Sequence, residues 1–296
     1  MESLAIIIPT FNRQACLRAL LHQLASQQPV SSRVAIVVVV DGSTDGTLEM
    51  LAQEFPEVHR VLGDGSWWFT RSVNEGIRYA EESLQPDAFL ILNDDSEIEP
   101  DYLIKLYQSA QAVEQPALMG SLALANTQPP MVTFSGNKSL TRWRLKSTSY
   151  LPHFCPFDSN TMTGVYPTYG LVGRGMLIPQ AVIRRIGYLD EAAFPQYGSD
   201  DDYALTAHRQ GIPVYISWDA RVYTSEQLTS DGTAHRQQKL PVFLKSFRNR
   251  YSINSLQKQI TFYRRHGIAP LWPLATLIFI LGTFRAYLWK YRNIRV

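Results

Sequence analysis

Two acidic clusters carry most of the chemistry this sequence offers. Asn93-Asp94-Asp95-Ser96 places adjacent carboxylates directly after the apolar run Ala88–Leu92. Carboxylates side by side at a strand end repel each other unless a cation neutralises them. Oxygen donors of this kind suit Mg²⁺ or Mn²⁺, which in turn hold phosphates. Ser199-Asp200-Asp201-Asp202 opens a second helical pattern, just after the turn residues Tyr197-Gly198. A helix start attracts carboxylates, but three in succession exceed what capping needs. A carboxylate pushed into a cleft there can take a proton from an attacking alcohol. Two further polar tips, Pro9-Thr-Phe-Asn-Arg13 and Asp41-Gly-Ser-Thr-Asp45, follow other apolar runs. Taken singly, each tip has a structural alternative, a solvated turn or a helix cap.

The elements that would position these tips alternate in type. Leu4–Ile8, stopped by Pro9, and Val34–Val40 read as buried strands; Val58–Leu62 and Ala88–Leu92 follow, with Ala117–Leu124 as a later one. Helical spacing connects them: Leu17, Leu20, Leu21 and Leu24, then Leu48–Phe55, then Thr70–Leu84, then a helix from Pro100 to about Glu114. Continuous apolar strands between helices predict a mostly parallel sheet covered on both faces, with ligands beyond the strands' carboxyl ends. Residues 126–165 show no clear pattern. Strand character resumes over Gly164–Pro179. Helices are expected at Ala181–Ile186 and Asp201–Gln210, late strands at Val214–Trp218 and Ala220–Tyr223, and helix beyond Leu240.

Composition narrows the class. The chain has 296 residues, 45% hydrophobic and 18% charged, which suits one large α/β domain with additions or two domains. Two cysteines, Cys16 and Cys155, exclude a disulfide framework and a four-cysteine zinc site, and point to a reducing compartment. Glu2 and the short run Leu4–Ile8 do not fit a signal peptide. No glycine follows the first strand in the dinucleotide-binding pattern, and there is no Walker A motif, so nicotinamide oxidoreductase and P-loop readings are weak. The six histidines are scattered, none at zinc-binding spacing. Net charge is +2, but it is split. Residues 1–231 hold 16 Lys+Arg and all 26 Asp+Glu, whereas residues 232–296 hold 12 Lys+Arg and no acid. The acidic body is a poor nucleic-acid binder, and the basic tail calls for an anionic partner.

Read in order, the motifs resemble those of the family 2 glycosyltransferases, inverting enzymes with the nucleotide-sugar-binding GT-A fold. The matching segments are Ile6–Arg13, Val39–Asp45, Asn74-Glu-Gly76, Leu90–Asp95, and Tyr197–Tyr203 with Gly211. Gly63-Asp-Gly-Ser-Trp-Trp-Phe-Thr70 looks like a subgroup linked to rhamnosyl transfer in surface polysaccharide assembly. The resemblance implies that a nucleotide-diphosphate sugar is held by Pro9, Thr10, Asn12, Arg13, Asp41, Ser43, Asn74, Asn93 and Asp94. Within that set, Thr10 and Asp41 would contact the nucleoside. Trp67, Trp68 and Arg71 join the donor site, with one tryptophan in the core and the other lining the cleft. Asp95, with Asp94 beside it, would coordinate the divalent cation (Mn²⁺ or Mg²⁺), and Asp200 would be the general base. Three positions depart from the pattern: Asn93 replaces an acid, Ser199 a common Glu, and Thr224 lies where a metal-binding His is common. Glu226 or His235 would then substitute for that histidine, or the metal would bind weakly. The scheme requires Asp41, Asp95 and Asp200 to face one cavity.

The expected domains are 1–235, GT-A, with a nucleotide-binding part over about 1–125 and an acceptor-side part over about 126–235, and 236–296, a basic helical extension. Leu240, Phe243, Leu244, Phe247 and Tyr251 recur at helical spacing with basic residues between them. Ile268–Phe284 is apolar over seventeen residues, near the short limit for crossing a bilayer, with positive charge at both ends. The tail therefore reads as a monotopic or interfacial (peripheral) anchor on an anionic membrane at the cytoplasmic, inner face of the cell membrane, with a homodimer interface as the alternative. The expected function is sugar transfer to a saccharide or lipid-linked saccharide. The rivals are a sugar nucleotidyltransferase and a silent membrane scaffold that keeps the fold.

Overall fold

The computed structural model describes residues 1–224 and 239–293. The body runs β1 (Ser3–Thr10), α1 (Gln14–Ala25), β2 (Arg33–Asp41), α2 (Thr47–Glu54), β3 (His59–Gly63), α3 (Trp68–Ser83), β4 (Ala88–Ile91), β5 (Ser96–Ile98), α4 (Tyr102–Gln111) and β6 (Leu118–Ala125). It continues through β7 (Met131–Phe134), β8 (Asn137–Thr141), β9 (Lys146–Ser149), β10 (Val165–Pro167), β11 (Met176–Pro179), α5 (Gln180–Ile186), α6 (Ser199–Arg209) and β12 (Val214–Thr224). Three C-terminal helices follow: α7 (Leu240–Ser246), α8 (Leu256–His266) and α9 (Trp272–Asn293).

The uninterrupted apolar runs have a simple cause: both faces of the strands are covered. In β1, Leu4, Ile6 and Ile8 pack with α1 and α2, while Ala5 and Ile7 pack with α3. β2 and β4 divide the same way, with Val38, Val40 and Leu90 on one side and Val37, Val39 and Phe89 on the other. Each strand therefore loses water from both faces, which favours β-branched and aliphatic residues at every position.

The sheet order is β10-β12-β6-β11-β4-β1-β2-β3, with β5 added to β12 and β7 to β6. It is mixed. β1, β2, β3 and β4 are parallel, as are β6 and β12, whereas β11 runs antiparallel to both β4 and β6. The antiparallel β11 breaks the mostly parallel pattern in the middle of the sheet.

Several local expectations change. Pro9 does not stop β1: the strand runs to Thr10, with Pro9 opposite Val39. β4 has ended opposite Ile7, so on that side no ladder bond is lost to the missing N–H of Pro9. The two late strands are one, β12, irregular between Ser217 and Arg221. The single amphipathic helix expected from Leu240 to Tyr251 ends at Ser246 as α7, and helix resumes only at Leu256. The expected domain boundary at 235/236, with Glu226 and His235, lies outside the described residues.

Candidate active site

The polar tips meet at the carboxyl ends of β1, β2 and β4. They border a cavity of about 530 Å³ whose lining includes Pro9, Thr10, Arg13, Asp41, Trp68, Asn93, Asp94, Asp95 and Asp200. The three carboxylates Asp41, Asp95 and Asp200 thus share one hollow. Of the other residues expected at the donor site, Asn12, Ser43, Trp67, Arg71 and Asn74 do not belong to the described lining.

Those five make contacts within the protein. The Asn12 N–H donates to Ser43 Oγ at 3.0 Å, and Asn12 Oδ1 accepts from the Thr44 N–H at 2.7 Å. Asn12 sits at φ 52°, a left-handed conformation that asparagine tolerates better than most residues. Together Asn12 and Ser43 stitch the loops after β1 and β2. Asn74 is buried and binds across to the 189–191 segment, donating to the Leu189 carbonyl and Glu191 at 2.8 Å each. Gly76, in the same motif, lets α3 settle on the sheet: a Cβ there would come within 2.5 Å of Ile7 and 2.8 Å of Val39. Trp67 packs with the core under α3, and the Arg71 guanidinium lies 5.0 Å over its ring. Trp68, 44% exposed, lines the cavity and stacks on Tyr251 at 4.2 Å.

Asp41 is more heavily engaged than a free nucleoside contact would be. Its carboxylate accepts from the backbone N–H groups of Gly65 (2.7 Å), Trp67 (2.9 Å) and Trp68 (3.1 Å). It therefore shapes the loop leading into α3. Likewise, the Thr10 hydroxyl donates to Asp94 at 2.8 Å.

In the β4 cluster the two carboxylates have different fates. Asp94 accepts from Thr10 on one oxygen and from Arg13 on the other, the latter at 3.2 Å. Burial pushes the Asp94 carboxyl up to about 6, against the pull of Arg13 and the Thr10 hydrogen bond. Asp95 accepts from Arg13 at 2.8 Å through one oxygen only. Its Oδ1 and the Asn93 Oδ1 are buried with no hydrogen-bond partner among the described residues. Buried polar atoms left without partners are costly, and carboxylate and amide oxygens are the donors a hard cation takes. The residues therefore fit a divalent ion on Asp95, with Asn93 beside it; Asp94, each oxygen already accepting one hydrogen bond, lies next to them. The described residues contain no cluster of three or more acidic, His or Cys side chains able to hold a metal alone. Sites of the Mg²⁺ type take their remaining ligands from substrate phosphates and water.

At the start of α6, Asp200 accepts from the Gly173 N–H at 2.9 Å and the Asp201 N–H at 3.0 Å, one on each oxygen. Burial raises its carboxyl above the usual range, opposed by those N–H groups and by the charge of Arg174. Asp201 is raised as well, by burial and then by Asp200 beside it. A Cβ on Gly173 would meet the tip of the Phe69 ring at 2.7 Å, so a side chain there would push that ring aside. Asp202 turns the other way and is buried. Arg265 bonds both of its oxygens at 2.8 and 2.9 Å, and His266 Nε2 sits 2.7 Å from one of them. Arg265 also reaches Asp190 at 2.7 Å. The end of α8 is thereby fastened to the helix that carries Asp200.

Sequence reasoning missed Arg174. It lines the cavity and donates to Thr224 Oγ1 at 2.8 Å, so the threonine found where a histidine was expected holds a guanidinium. The available signal was a lone arginine between two glycines, Gly173-Arg-Gly175, just before β11.

A mixed α/β sheet with carboxylates gathered over its strand ends is the GT-A arrangement. Solved structures agree on the fold. The crystal structure of GalNAc-T7 with UDP, GalNAc and Mn²⁺ matches with a TM-score of 0.60 at 14% identity, over 78% of this chain and 44% of that one. The crystal structure of S. aureus TarS matches with a TM-score of 0.55 at 16% identity, over 89% of this chain and 43% of that one. The chain belongs to glycosyl transferase family 2, whose family model matches residues 5–155. It is also 26% identical over 214 residues to the low-salt glycan biosynthesis hexosyltransferase Agl10 of Haloferax volcanii; the match spans 72% of this chain and 64% of that protein.

Proposed function

We propose that the protein is an inverting glycosyltransferase that moves a sugar, a hexose by analogy with the Agl10 relative, from a nucleotide-diphosphate donor to a saccharide acceptor. The observation that carries this reading is the convergence of Asp95 and Asp200 on one cavity, one with an unpartnered oxygen and the other held by two backbone N–H groups. The acceptor we assign is a saccharide, lipid-linked and used in surface polysaccharide or glycolipid assembly at the inner face of the cell membrane. The support for that placement is the helix over Ala269–Trp289, long and apolar enough to enter a membrane.

In the reaction, Asp200 takes the proton of the acceptor hydroxyl. The acceptor oxygen bonds to the anomeric carbon while the bond from that carbon to the diphosphate breaks, its electron pair leaving on the phosphate oxygen. Attack from the opposite face inverts the configuration. Arg174, on the lining of the same cavity, supplies positive charge that acts on Asp200. A Mg²⁺ or Mn²⁺ ion on Asp95, with Asn93 and the diphosphate oxygens, would neutralise the departing charge.

The test is a thermal-shift screen of nucleotide sugars with and without Mn²⁺, followed by transfer assays of Asp200→Asn. A productive donor raises the melting temperature. Asp200→Asn keeps that shift and loses transfer. Unchanged turnover in this variant removes Asp200 as the base.

A further inference from the structure

We infer that α9 does not cross the bilayer but lies flat against the body, presenting one apolar face to a single leaflet of an anionic membrane. This rests on the membrane reading above and is independent of the donor chemistry.

The first observation is that both ends of α9 are held by the same module. At its start, Arg264 of α8 lies over the Trp272 ring at 5.8 Å. Fifteen residues on, about 22 Å along the axis, Tyr287 stacks on Phe243 of α7 at 4.1 Å, and Phe284 stacks on Phe247, just past α7, at 5.6 Å. The Leu256 N–H donates to the Phe247 carbonyl at 3.0 Å, so the end of α7 sits at the start of α8. Helix α9 therefore runs back along α8, whose own end is clamped to α6 through Arg265 and Asp202. A spanning helix would carry one of its ends about a membrane thickness away from the other end's partners; here both ends stay on the body.

The second observation is the pattern of exposure. Leu274, Leu277, Ile278, Leu281 and Leu288 are all exposed, Leu277 by 51% and Leu281 by 59%, and their spacing of three, four and seven puts them on one stripe. Ala275 and Thr276, on the other side, are buried. An exposed apolar stripe of this length marks an interaction surface.

The third observation, charge, chooses the occupant. Residues 232–296 contain no acid. Lys239, Lys245, Arg248 and Arg264 are exposed in or beside the helices that hold the two ends of α9, and Arg285 is exposed on the stripe itself, between Leu281 and Leu288. A second copy of this chain would bring the same cations face to face. An anionic leaflet meets all of them at once, each basic residue near the surface contributing about 1 kcal/mol. Arginines at both ends also favour keeping both ends on the cytoplasmic side.

Three measurements on the full chain test this. The first is co-sedimentation with preformed vesicles of phosphatidylcholine, alone or with about one third phosphatidylglycerol. Binding should require the anionic lipid, and Leu277→Glu with Leu281→Glu should weaken it at least about 10-fold. Lys245→Gln with Arg248→Gln, which leave the stripe intact, should weaken it less. All these variants should keep the donor-induced thermal shift, so a failure here is distinguishable from a failure of the glycosyltransferase reading. Equal binding to neutral vesicles overturns the choice of occupant. In the second, Ile268→Cys and Trp289→Cys are placed separately in a Cys16→Ser, Cys155→Ser chain bound to vesicles, and both should react with an impermeant maleimide added outside. Protection of one end alone means that α9 spans, and overturns the flat placement. In the third, gel filtration with light scattering should give a monomer. A dimer dissolved by the Leu277→Glu and Leu281→Glu pair makes a second copy the occupant and overturns the membrane assignment.

Discussion

The acidic clusters at β4 and at α6 solve one problem by opposite means. Each brings at least one carboxylate to the lining of the same cavity, and each fixes another member of its run. Asp94 is fixed by Thr10 and Arg13, residues of the adjoining strand end and loop. Asp202 is fixed by Arg265 and His266, which come from sixty residues further along the chain. The carboxylates that face the cavity are Asp95, next to the fixed Asp94 and with a bare oxygen, and Asp200, two residues before the fixed Asp202 and held by two N–H groups. A run of acids in sequence is thus not a set of equivalent ligands. The anchored member sets the position of the working member, and the source of the anchor decides which distant part of the protein the chemistry depends on.

This division can be broken by experiment. Asp200→Asn should lower kcat by about 10²–10⁴-fold, the range for a lost general base, with donor affinity unchanged in a binding titration. Asp95→Ala should lower activity by about 100-fold or more and flatten its dependence on added Mn²⁺, because metal-based charge stabilisation is worth several kcal/mol. Asp94→Asn should instead act mainly on stability; equal kinetic and stability effects at the two positions would erase the distinction drawn between them. Asp202→Ala should cost about 3 kcal/mol in chemical denaturation, since it takes the carboxylate from buried His266 and one of the two carboxylate partners from Arg265.

The raised carboxyl of Asp201 gives a signed pH effect. Its folded pKa lies above the unfolded value of about 3.9. Between the two, the folded chain holds a proton that the unfolded chain has lost, so stability falls as pH rises through that window. Asp201→Asn should therefore melt higher than the parent at pH 8 to 9, with the gap closing as pH falls below about 4. The smallest effect expected is from Tyr251→Ala, which removes the stack on Trp68 and should cost about 1 kcal/mol.

Much of the framework was legible in the sequence because the strands are buried on both faces. Leu4–Ile8, Val34–Val40 and Ala88–Leu92 announce themselves by unbroken apolarity, and all three lie in the sheet as β1, β2 and β4. The hairpin β8–β9 was not legible: its strands are largely exposed, so no hydrophobic period marks them. Strand β5 is only three residues long and sits directly on the acidic tip, whose chemistry masks it. Residue type and position at the end of a strand or the start of a helix were enough to single out Asp41, Asp95 and Asp200, which share one cavity lining. They were not enough to tell a ligand-facing group from a stitch between loops. Asn12, Ser43 and Asn74 share the composition of binding residues, yet their partners are backbone and side-chain groups brought near only by the folded chain. Arg174 was missed for the converse reason: a single cation between glycines gains its meaning from Thr224, fifty residues later.

The bond between Arg265 and Asp202 has a practical consequence for handling the protein. Shortening the chain before α8 to improve its behaviour in solution would remove the greasy stripe and, with it, the brace on the helix that carries Asp200. A better-behaved yet active preparation is more readily reached by making Leu277 and Leu281 polar while leaving α8 whole, so that the adhesive surface is lost and the brace is kept.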